Sequence, residues 1–210
     1  MLADLLSPDK LILIAIFLLV GFPVHEFAHA LVAYRLGDAT AKLFGRLTLN
    51  PIAHFDPIGG LLLVVSVLGG GFVFGWAKPT PVNPSNLRDR RNGEVAVALA
   101  GPASNLIMAA IMGFAFRGLI VSQVAVPDLV LQVCFGFVWY NVALAVFNLI
   151  PIPPLDGSTL LFRFLPLRYT WQLRPILNQY GLLVLLLFIF TGGRYVAQAI
   201  QQVALFLVGF

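Results

Sequence analysis

Runs of apolar residues long enough to cross a membrane recur along this sequence. Residues 10–34, 94–116 and 129–149 each predict a helix, and each approaches the roughly 20 apolar residues needed to cross about 30 Å of hydrocarbon. With 60% hydrophobic and 10% charged residues, the chain also lies outside the composition range of soluble globular domains. The sequence therefore predicts an integral membrane protein with an all-α fold.

Three further segments are ambiguous. Residues 59–76 are apolar but carry basic residues on both flanks, so a re-entrant segment is favoured over a full span. Residues 182–210 predict either one tilted helix or two pieces broken near Gly192. The stretch "KLFGRLTLN", residues 42–50, has partial two-residue periodicity and predicts a short strand or hairpin.

The predicted architecture is a polytopic helical bundle of about five to six membrane segments with a small re-entrant or β-hairpin element. Because the connections between apolar segments are short, residues 1–210 are expected to form a single membrane-embedded domain. The net charge of +4 is explained by cationic loops at a membrane face, since the basic residues form no extended patch. A lipid bilayer is therefore the expected surrounding, and no nucleic-acid partner is expected.

The motif "HEFAH" lies inside the first apolar segment. His25 and His29 are four residues apart, so on a helix they share one face and can direct ring nitrogens at one metal ion. Glu26 falls beside that ion, where a carboxylate can deprotonate a metal-activated water and return the proton to a leaving amine. Burying these groups in hydrocarbon costs several kcal/mol unless they serve a metal or one another. The motif predicts metal-assisted amide hydrolysis. The alternative is that the three polar residues only pack between helices.

A catalytic zinc site usually has three protein ligands, so one more is needed. The candidates are His54, Asp56, Glu94 and Asp156. Asp156 is favoured, because the first and third helices can run antiparallel and would then bring it to the membrane face near which the histidine pair lies. His54 is expected in a loop or behind the ligands, and Asp56, next to Pro57, is expected in a turn.

Three motifs together resemble the site-2 protease family of intramembrane zinc metalloproteases: "HEFAH" at 25–29, "GPASN" at 101–105 and "NLIPIPPLDG" at 148–157. Residues 45–59 and 74–84 are also similar to short bacterial and archaeal members, which lack PDZ and nucleotide-sensing domains. The resemblance implies one Zn²⁺ per chain and Glu26 as general base. The implied zinc ligands are His25, His29 and Asp156, and the implied substrate-binding or cleft residues are Asn148, Asn105, Gly101 and Pro102.

The resemblance further implies hydrolysis of peptide bonds within or near the membrane span of a single-pass protein, as in regulated intramembrane proteolysis. It implies a multi-pass protein of the cell membrane, with the active site nearer the cytoplasmic face. A substrate helix hides its carbonyls in intrahelical hydrogen bonds and must unwind first, so pairing with a strand at 42–50 is a further hypothesis.

Two other functions are weighed against hydrolysis. A membrane transporter would string ionisable groups along a crossing path and often show an internal repeat, whereas here they gather at one site. A non-catalytic zinc-binding scaffold would need a closed site with four protein ligands, and Glu26 beside His25 argues against one.

Overall fold

Helices make up nearly all of the regular structure in the computed structural model, which describes residues 8–68 and 78–209. A π-helical turn, Phe17–Gly21, joins α1 to α2, and a 3-10 turn, Pro84–Asn86, precedes α6. The helices are α1 (Pro8–Ile16), α2 (Phe22–Arg35), α3 (Thr40–Leu43), α4 (Pro51–His54), α5 (Pro57–Leu68), α6 (Arg90–Val121), α7 (Asp128–Asn148), α8 (Gly157–Phe164) and α9 (Leu167–Val208).

Within the described ranges, four helical segments are long and apolar enough to cross a membrane: Leu11–Arg35, Arg90–Val121, Asp128–Asn148 and Leu167–Val208. The first three confirm the helices predicted from the sequence. The fourth settles the ambiguity at the C-terminus, because α9 is one helix of 42 residues that continues through Gly192. At 1.5 Å per residue α9 is about 63 Å long, which exceeds a bilayer with its headgroups, so one end lies outside the hydrocarbon.

The predicted five to six membrane segments are not reached in the part of the chain that the structure describes. The part of α5 that the structure describes stops at Leu68 and covers 12 residues, fewer than a span needs, and α9 counts once rather than twice. The predicted re-entrant segment at 59–76 lies partly outside the described residues, which exclude 69–77.

The predicted strand or hairpin at residues 42–50 does not form. Thr40–Leu43 is helical, and residues 44–50 make turns and bends. Gly45 has a φ of +67°, and the Asn50 side chain accepts a hydrogen bond from Ile52 N and caps α4. Local turn and capping chemistry therefore overrides the two-residue periodicity, and the hypothesis of substrate pairing at this segment loses its strand.

Helix α6 is the centre of the bundle, because it packs against α2, α7, α8 and α9. Small residues let these helices approach closely: a Cβ added at Gly113 would lie 2.7 Å from the carbonyl oxygen of Leu207 in α9. The main buried apolar cluster joins α6, α7 and α9 and contains Ala109, Phe116, Val138, Val142, Ile200, Ala204 and Val208.

A buried carboxylate fastens the end of α2 to the segment that precedes α6. Asp38 is fully buried, and it accepts hydrogen bonds from Thr40 N (3.0 Å), Asn83 N (2.7 Å) and Asn86 Nδ2 (3.0 Å). The backbone N–H of Arg88 also donates to the carbonyl of the residue at position 36 (2.9 Å). These bonds hold residues 78–88 along α2, beside the histidines of the motif.

Asp38→Asn is expected to destabilise the protein by about 2 kcal/mol, because hydrogen bonds to a charged acceptor are lost. Burial would raise the pKa of Asp38, but hydrogen bonds from Thr40, Asn86 and Asn83 outweigh it and hold the pKa below its ordinary value. The charged form therefore stabilises the fold above about pH 4, and this contribution disappears as the pH falls through the lowered pKa. Thermal unfolding in detergent should show the largest gap between wild type and variant at pH 7, with the gap narrowing in acid; a gap that is constant with pH would contradict this.

Candidate metal centre and catalytic cleft

Three potential ligand atoms from two parts of the chain meet inside the helical bundle. His25 Nε2 and His29 Nε2 are 3.0 Å apart, one helical turn from each other on α2. Oδ2 of Asp156, from the loop between α7 and α8, lies 3.2 Å from His25 Nε2 and 3.3 Å from His29 Nε2. Both histidines are buried. The structure thus brings together the two histidines of the motif and the aspartate favoured as third ligand.

Hydrogen bonds on the outer side of each imidazole fix which ring nitrogen faces the cluster. His25 Nδ1 is 2.6 Å from Asn105 Oδ1, and His29 Nδ1 is 2.7 Å from the Val97 carbonyl oxygen. Both partners are acceptors once the Asn105 amide is oriented by its own bonds, so each Nδ1 is assigned the proton. Each Nε2 then turns a lone pair inward, which is the tautomer that a metal requires.

The cluster fits a zinc ion. Three lone-pair atoms 3.0–3.3 Å apart repel one another unless a cation lies between them, and Asp156 Oδ2 is buried without a hydrogen-bond partner. Zinc binds imidazole nitrogen and carboxylate oxygen at about 2.0–2.2 Å, and tetrahedral geometry then separates two ligand atoms by about 3.3 Å. Donor types and spacing both match that geometry.

Helix α6 leaves room for the cluster at one glycine. A Cβ built on Gly101 would lie 2.3 Å from His29 Nε2 and 2.6 Å from His25 Nε2, closer than real Cβ atoms come to any neighbour. A side chain at this position would therefore collide with His25 Nε2 and His29 Nε2. Gly101, predicted as a cleft residue, lies directly against the two histidine rings.

Asp156 carries a negative charge at neutral pH. Its burial would raise the pKa, but in the metal-free site hydrogen bonds from His25 and His29, with a proton on Nε2, and their positive charge outweigh this effect and lower the pKa to about 2. A carboxylate here would supply an anionic ligand beside two neutral imidazoles if a divalent cation were bound.

Two buried asparagines orient His25. Asn105 Nδ2 donates to Asn141 Oδ1 (2.8 Å) and to the Gly21 carbonyl (3.1 Å), which leaves Asn105 Oδ1 for His25. Asn141 Nδ2 in turn donates to the Phe137 carbonyl at 2.9 Å. Asn141 is not among the site residues predicted from the sequence, although an asparagine inside the apolar run "FVWYNVALAVF" is itself a signal of function in a membrane helix.

Asn105→Leu is expected to lower zinc affinity about 10- to 100-fold, because His25 loses the acceptor that fixes its tautomer. Competition titration with a zinc chelator on the purified protein measures this. Asn148→Leu is the matched control, because the Asn148 amide donates to the Leu144 carbonyl of its own helix (3.0 Å) and lies outside the cluster. Equal zinc affinities of the two variants would contradict the orienting role.

Glu26 is held at the edge of a cavity beside the cluster. Its Oε2 accepts a hydrogen bond from Thr80 N (2.9 Å), and its backbone carbonyl accepts one from Thr80 Oγ1 (3.1 Å). Glu26, His29, Thr80, Asp156 and Thr159 line this cavity of about 200 Å³, with Pro79 and Val82 on the wall formed by residues 78–83. Thr80 was not a sequence candidate, and its backbone contact carries no side-chain signal.

The other candidates for the third ligand lie elsewhere. His54 is buried, and its Nε2 contacts the Thr48 carbonyl (2.9 Å) rather than the cluster. Asp56 Oδ1 accepts from the backbone N–H groups of residues 58 and 59, which confirms the predicted turn. Glu94 pairs with Arg90 at 3.4 Å.

Of the remaining predicted cleft residues, Pro102 is buried next to Gly101 within α6. Asn148 ends α7, and among the described residues it does not line the cavity beside Glu26.

Comparison with known proteins identifies relatives over most of the chain. Residues 12–128 and 118–190 match the model of peptidase family M50. YwhC of Bacillus subtilis, named as a candidate zinc metalloprotease, is 41% identical over 189 residues, which cover 87% of this chain and 83% of YwhC. Rip2 of Mycolicibacterium smegmatis, named in the same way, is 31% identical over 196 residues, 90% of this chain and 72% of Rip2. No solved structure matches. We conclude that the chain belongs to peptidase family M50.

Proposed function

We propose that the protein hydrolyses peptide bonds within or near the membrane spans of single-pass proteins, with zinc held by His25, His29 and Asp156. The protein is an intramembrane zinc metalloprotease, in keeping with its family, its relatives and its apolar helices. The observation that carries the proposed site is the convergence of His25 Nε2, His29 Nε2 and Asp156 Oδ2 within 3.0–3.3 Å beside Glu26. Residues 1–210 act as one membrane-embedded domain in this proposal.

Glu26 is the general base. Zinc held by His25, His29 and Asp156 would supply a water acidified toward about pH 7 and would polarise the substrate carbonyl. Thr80 N holds one oxygen of the Glu26 carboxylate, so the orientation of the side chain is fixed before substrate arrives. The other oxygen, Oε1, takes the proton of the attacking water and delivers it to the leaving amine nitrogen.

The substrate reaches the cavity as an unwound segment. A helical peptide bond has its carbonyl engaged in an intrahelical hydrogen bond and its side chains packed around it, so it fits neither the cavity nor the reach of Glu26. Residues 78–83, which border the cavity, have no helical structure. The hydrogen bond from Asn83 N to Asp38 holds this segment to the end of α2. In this proposal Gly101 leaves room for the two histidine rings and Asn105 orients His25, and neither contacts the peptide.

The distribution of charge supports an active site nearer the cytoplasmic face of the cell membrane. The end of α2 and the start of α6 lie together, because Arg88 N donates to the carbonyl at position 36. Ten cationic residues lie in the segments near this end, whereas Arg117 in α6 and Arg194 in α9 lie away from it, and cytoplasmic loops carry the excess of cationic residues. The ten are Arg35, Lys42, Arg46, Lys78, Arg88, Arg90, Arg91, Arg163, Arg168 and Arg174.

Neither a transporter nor a non-catalytic zinc scaffold is favoured. In the described ranges the potential ligands form one group of three protein residues beside a carboxylate, which suits an open catalytic site better than a closed structural one.

The proposal is tested with the full chain reconstituted in lipid vesicles and a panel of fluorescent single-pass substrates. We expect cleavage within or near the substrate span that stops when a chelator removes zinc and resumes when zinc, but not magnesium, is restored. Mass spectrometry of the products locates the cleaved bond. Cleavage that persists in protein shown to be free of zinc would contradict the proposed chemistry.

A further inference from the structure

A second cavity, of about 270 Å³, adjoins the one beside Glu26. Four arginines from three helices line it: Arg90 and Arg91 at the start of α6, Arg163 near the end of α8, and Arg174 in α9. Thr159, on α8, lines both cavities and so forms a wall that they share. We refer to this second space as the arginine cavity.

The charge of the arginine cavity is largely uncompensated. Its one lining carboxylate, Glu94, contacts Arg90 Nε at 3.4 Å. Within the described ranges, Arg91, Arg163 and Arg174 form no ion pair within 4 Å; Asp89, which does not line the cavity, attracts Arg163 from a greater distance, and the Arg174 guanidinium lies over the Phe162 ring. Arg91 Nη2 donates to the Arg163 carbonyl (3.3 Å), and Arg163 Nη2 donates to Asn92 Oδ1 (3.1 Å). Several guanidinium groups around one cavity favour an anionic ligand, because guanidinium binds carboxylates and phosphates through paired hydrogen bonds.

We propose that the arginine cavity is a substrate subsite that binds an acidic side chain on the cytoplasmic side of the scissile bond. This inference rests on the proposed protease function and names a sequence feature of its substrates. A site for a lipid headgroup would need only to lie at the membrane boundary. The arginine cavity also adjoins the space beside Glu26, because Thr159 lines both, and this favours a peptide ligand. A peptide that passes Glu26 can therefore continue into the arginine cavity.

The geometry gives the position of the acidic residue. Asp156 immediately precedes α8, and Arg163 lies seven positions later, near the end of that helix. At 1.5 Å per residue this corresponds to about 10 Å along the axis. An extended peptide advances about 3.3 Å per residue, so the acidic side chain lies about three residues from the scissile bond.

The first test compares substrates that differ at that one position. Three single-pass substrates carry Glu, Gln or Lys about three residues to the cytoplasmic side of the cleaved bond, in phosphatidylcholine vesicles without anionic lipid. We expect kcat/KM to be about tenfold higher for the Glu substrate than for the Gln substrate, and lowest for Lys. In Arg163→Glu protein the order of the Glu and Lys substrates reverses. Equal kcat/KM for all three substrates with the wild-type protein overturns the proposal.

A control variant distinguishes the effect of the arginines in the cavity from the effect of positive charge elsewhere on the surface. Arg168 is exposed on α9 and does not line the arginine cavity; its guanidinium donates to the Tyr169 hydroxyl. Arg168→Gln protein should keep the tenfold preference for Glu over Gln, whereas Arg91→Gln/Arg163→Gln protein should lose it. Loss of the preference in Arg168→Gln to the same extent would overturn the assignment to this cavity.

Binding measured without turnover separates this inference from the proposed function. Fluorescence anisotropy with labelled soluble peptides that bear the Glu or Gln segment should give dissociation constants about tenfold apart, with the difference shrinking as salt rises. If the Glu and Gln peptides differ in affinity but no substrate is cleaved, the subsite is supported and the protease function is contradicted. If substrates are cleaved but the Glu and Gln peptides bind equally, the protease function is supported and the subsite proposal is wrong. If the arginine substitutions abolish binding of phosphatidylglycerol and leave peptide preference unchanged, the cavity is a lipid site and the proposal is wrong.

Discussion

Glu26→Gln is expected to lower kcat about 1000-fold while one zinc ion per chain stays bound. The amide keeps the size of the carboxylate but cannot accept the proton of the attacking water, and general base catalysis typically contributes 10²- to 10⁴-fold. Glu26 is not one of the three grouped ligand residues, so zinc binding should survive the substitution. Single-turnover cleavage and zinc content are measured on the same preparation.

Asp128→Asn is the matched control for the loss of a carboxylate. Asp128 begins α7, about 30 Å along that helix from the end that leads to Asp156, and it is exposed. This variant should cleave like the wild type. Wild-type activity in Glu26→Gln would remove Glu26 from the chemistry, and simultaneous loss of zinc would make it a ligand instead of a base.

Gly101→Ala is expected to lower zinc affinity by 100-fold or more and to abolish cleavage. The added methyl carbon would lie 2.3 Å from His29 Nε2 and 2.6 Å from His25 Nε2, so the imidazoles or α6 must move. A displacement of that size breaks a ligand geometry that tolerates only a few tenths of an ångström. Zinc affinity by chelator competition and cleavage rate both report the effect.

Gly118→Ala is the control on the same helix. A Cβ at Gly118 would meet nothing within 4 Å, so this variant should bind zinc and cleave as the wild type does. Alanine is favoured over glycine within helices by about 1 kcal/mol, so the variant should be no less stable. If Gly101→Ala behaves like Gly118→Ala, the close approach of α6 to the ligands is not required for function.

The sequence predicts the helices and the cluster of His25, His29 and Asp156 because both follow largely from local patterns. Apolar length defines the first three spans, and a spacing of four residues puts His25 and His29 on one face of α2 whatever the surrounding packing. Asp156 could be favoured because it lies in the short loop after α7, and antiparallel packing of the first and third predicted helices would bring that end to the histidines.

The features that the sequence did not predict depend on tertiary contacts or on competing local chemistry. Thr80 acts on Glu26 through its backbone N–H and through a hydroxyl contact, and the first of these is available to almost any residue. Asn141 does not contact His25 itself but accepts a hydrogen bond from Asn105, which does. The stretch at 42–50 has alternating character, but Gly45 and Asn50 impose turns on it. Helix α9 continues through Gly192 because an interrupted helix in hydrocarbon would leave backbone groups without partners.

X-ray absorption at the zinc edge, on the wild-type protein in detergent, tests the central claim most directly. The proposed site predicts about one zinc per chain, with scattering from two imidazole groups at about 2.0 Å and the remaining ligands oxygen. Asp156→Ala should keep both imidazoles and lose zinc affinity. A zinc ion without imidazole scattering, or metal-replete protein that binds no zinc, would contradict the assignment of His25, His29 and Asp156.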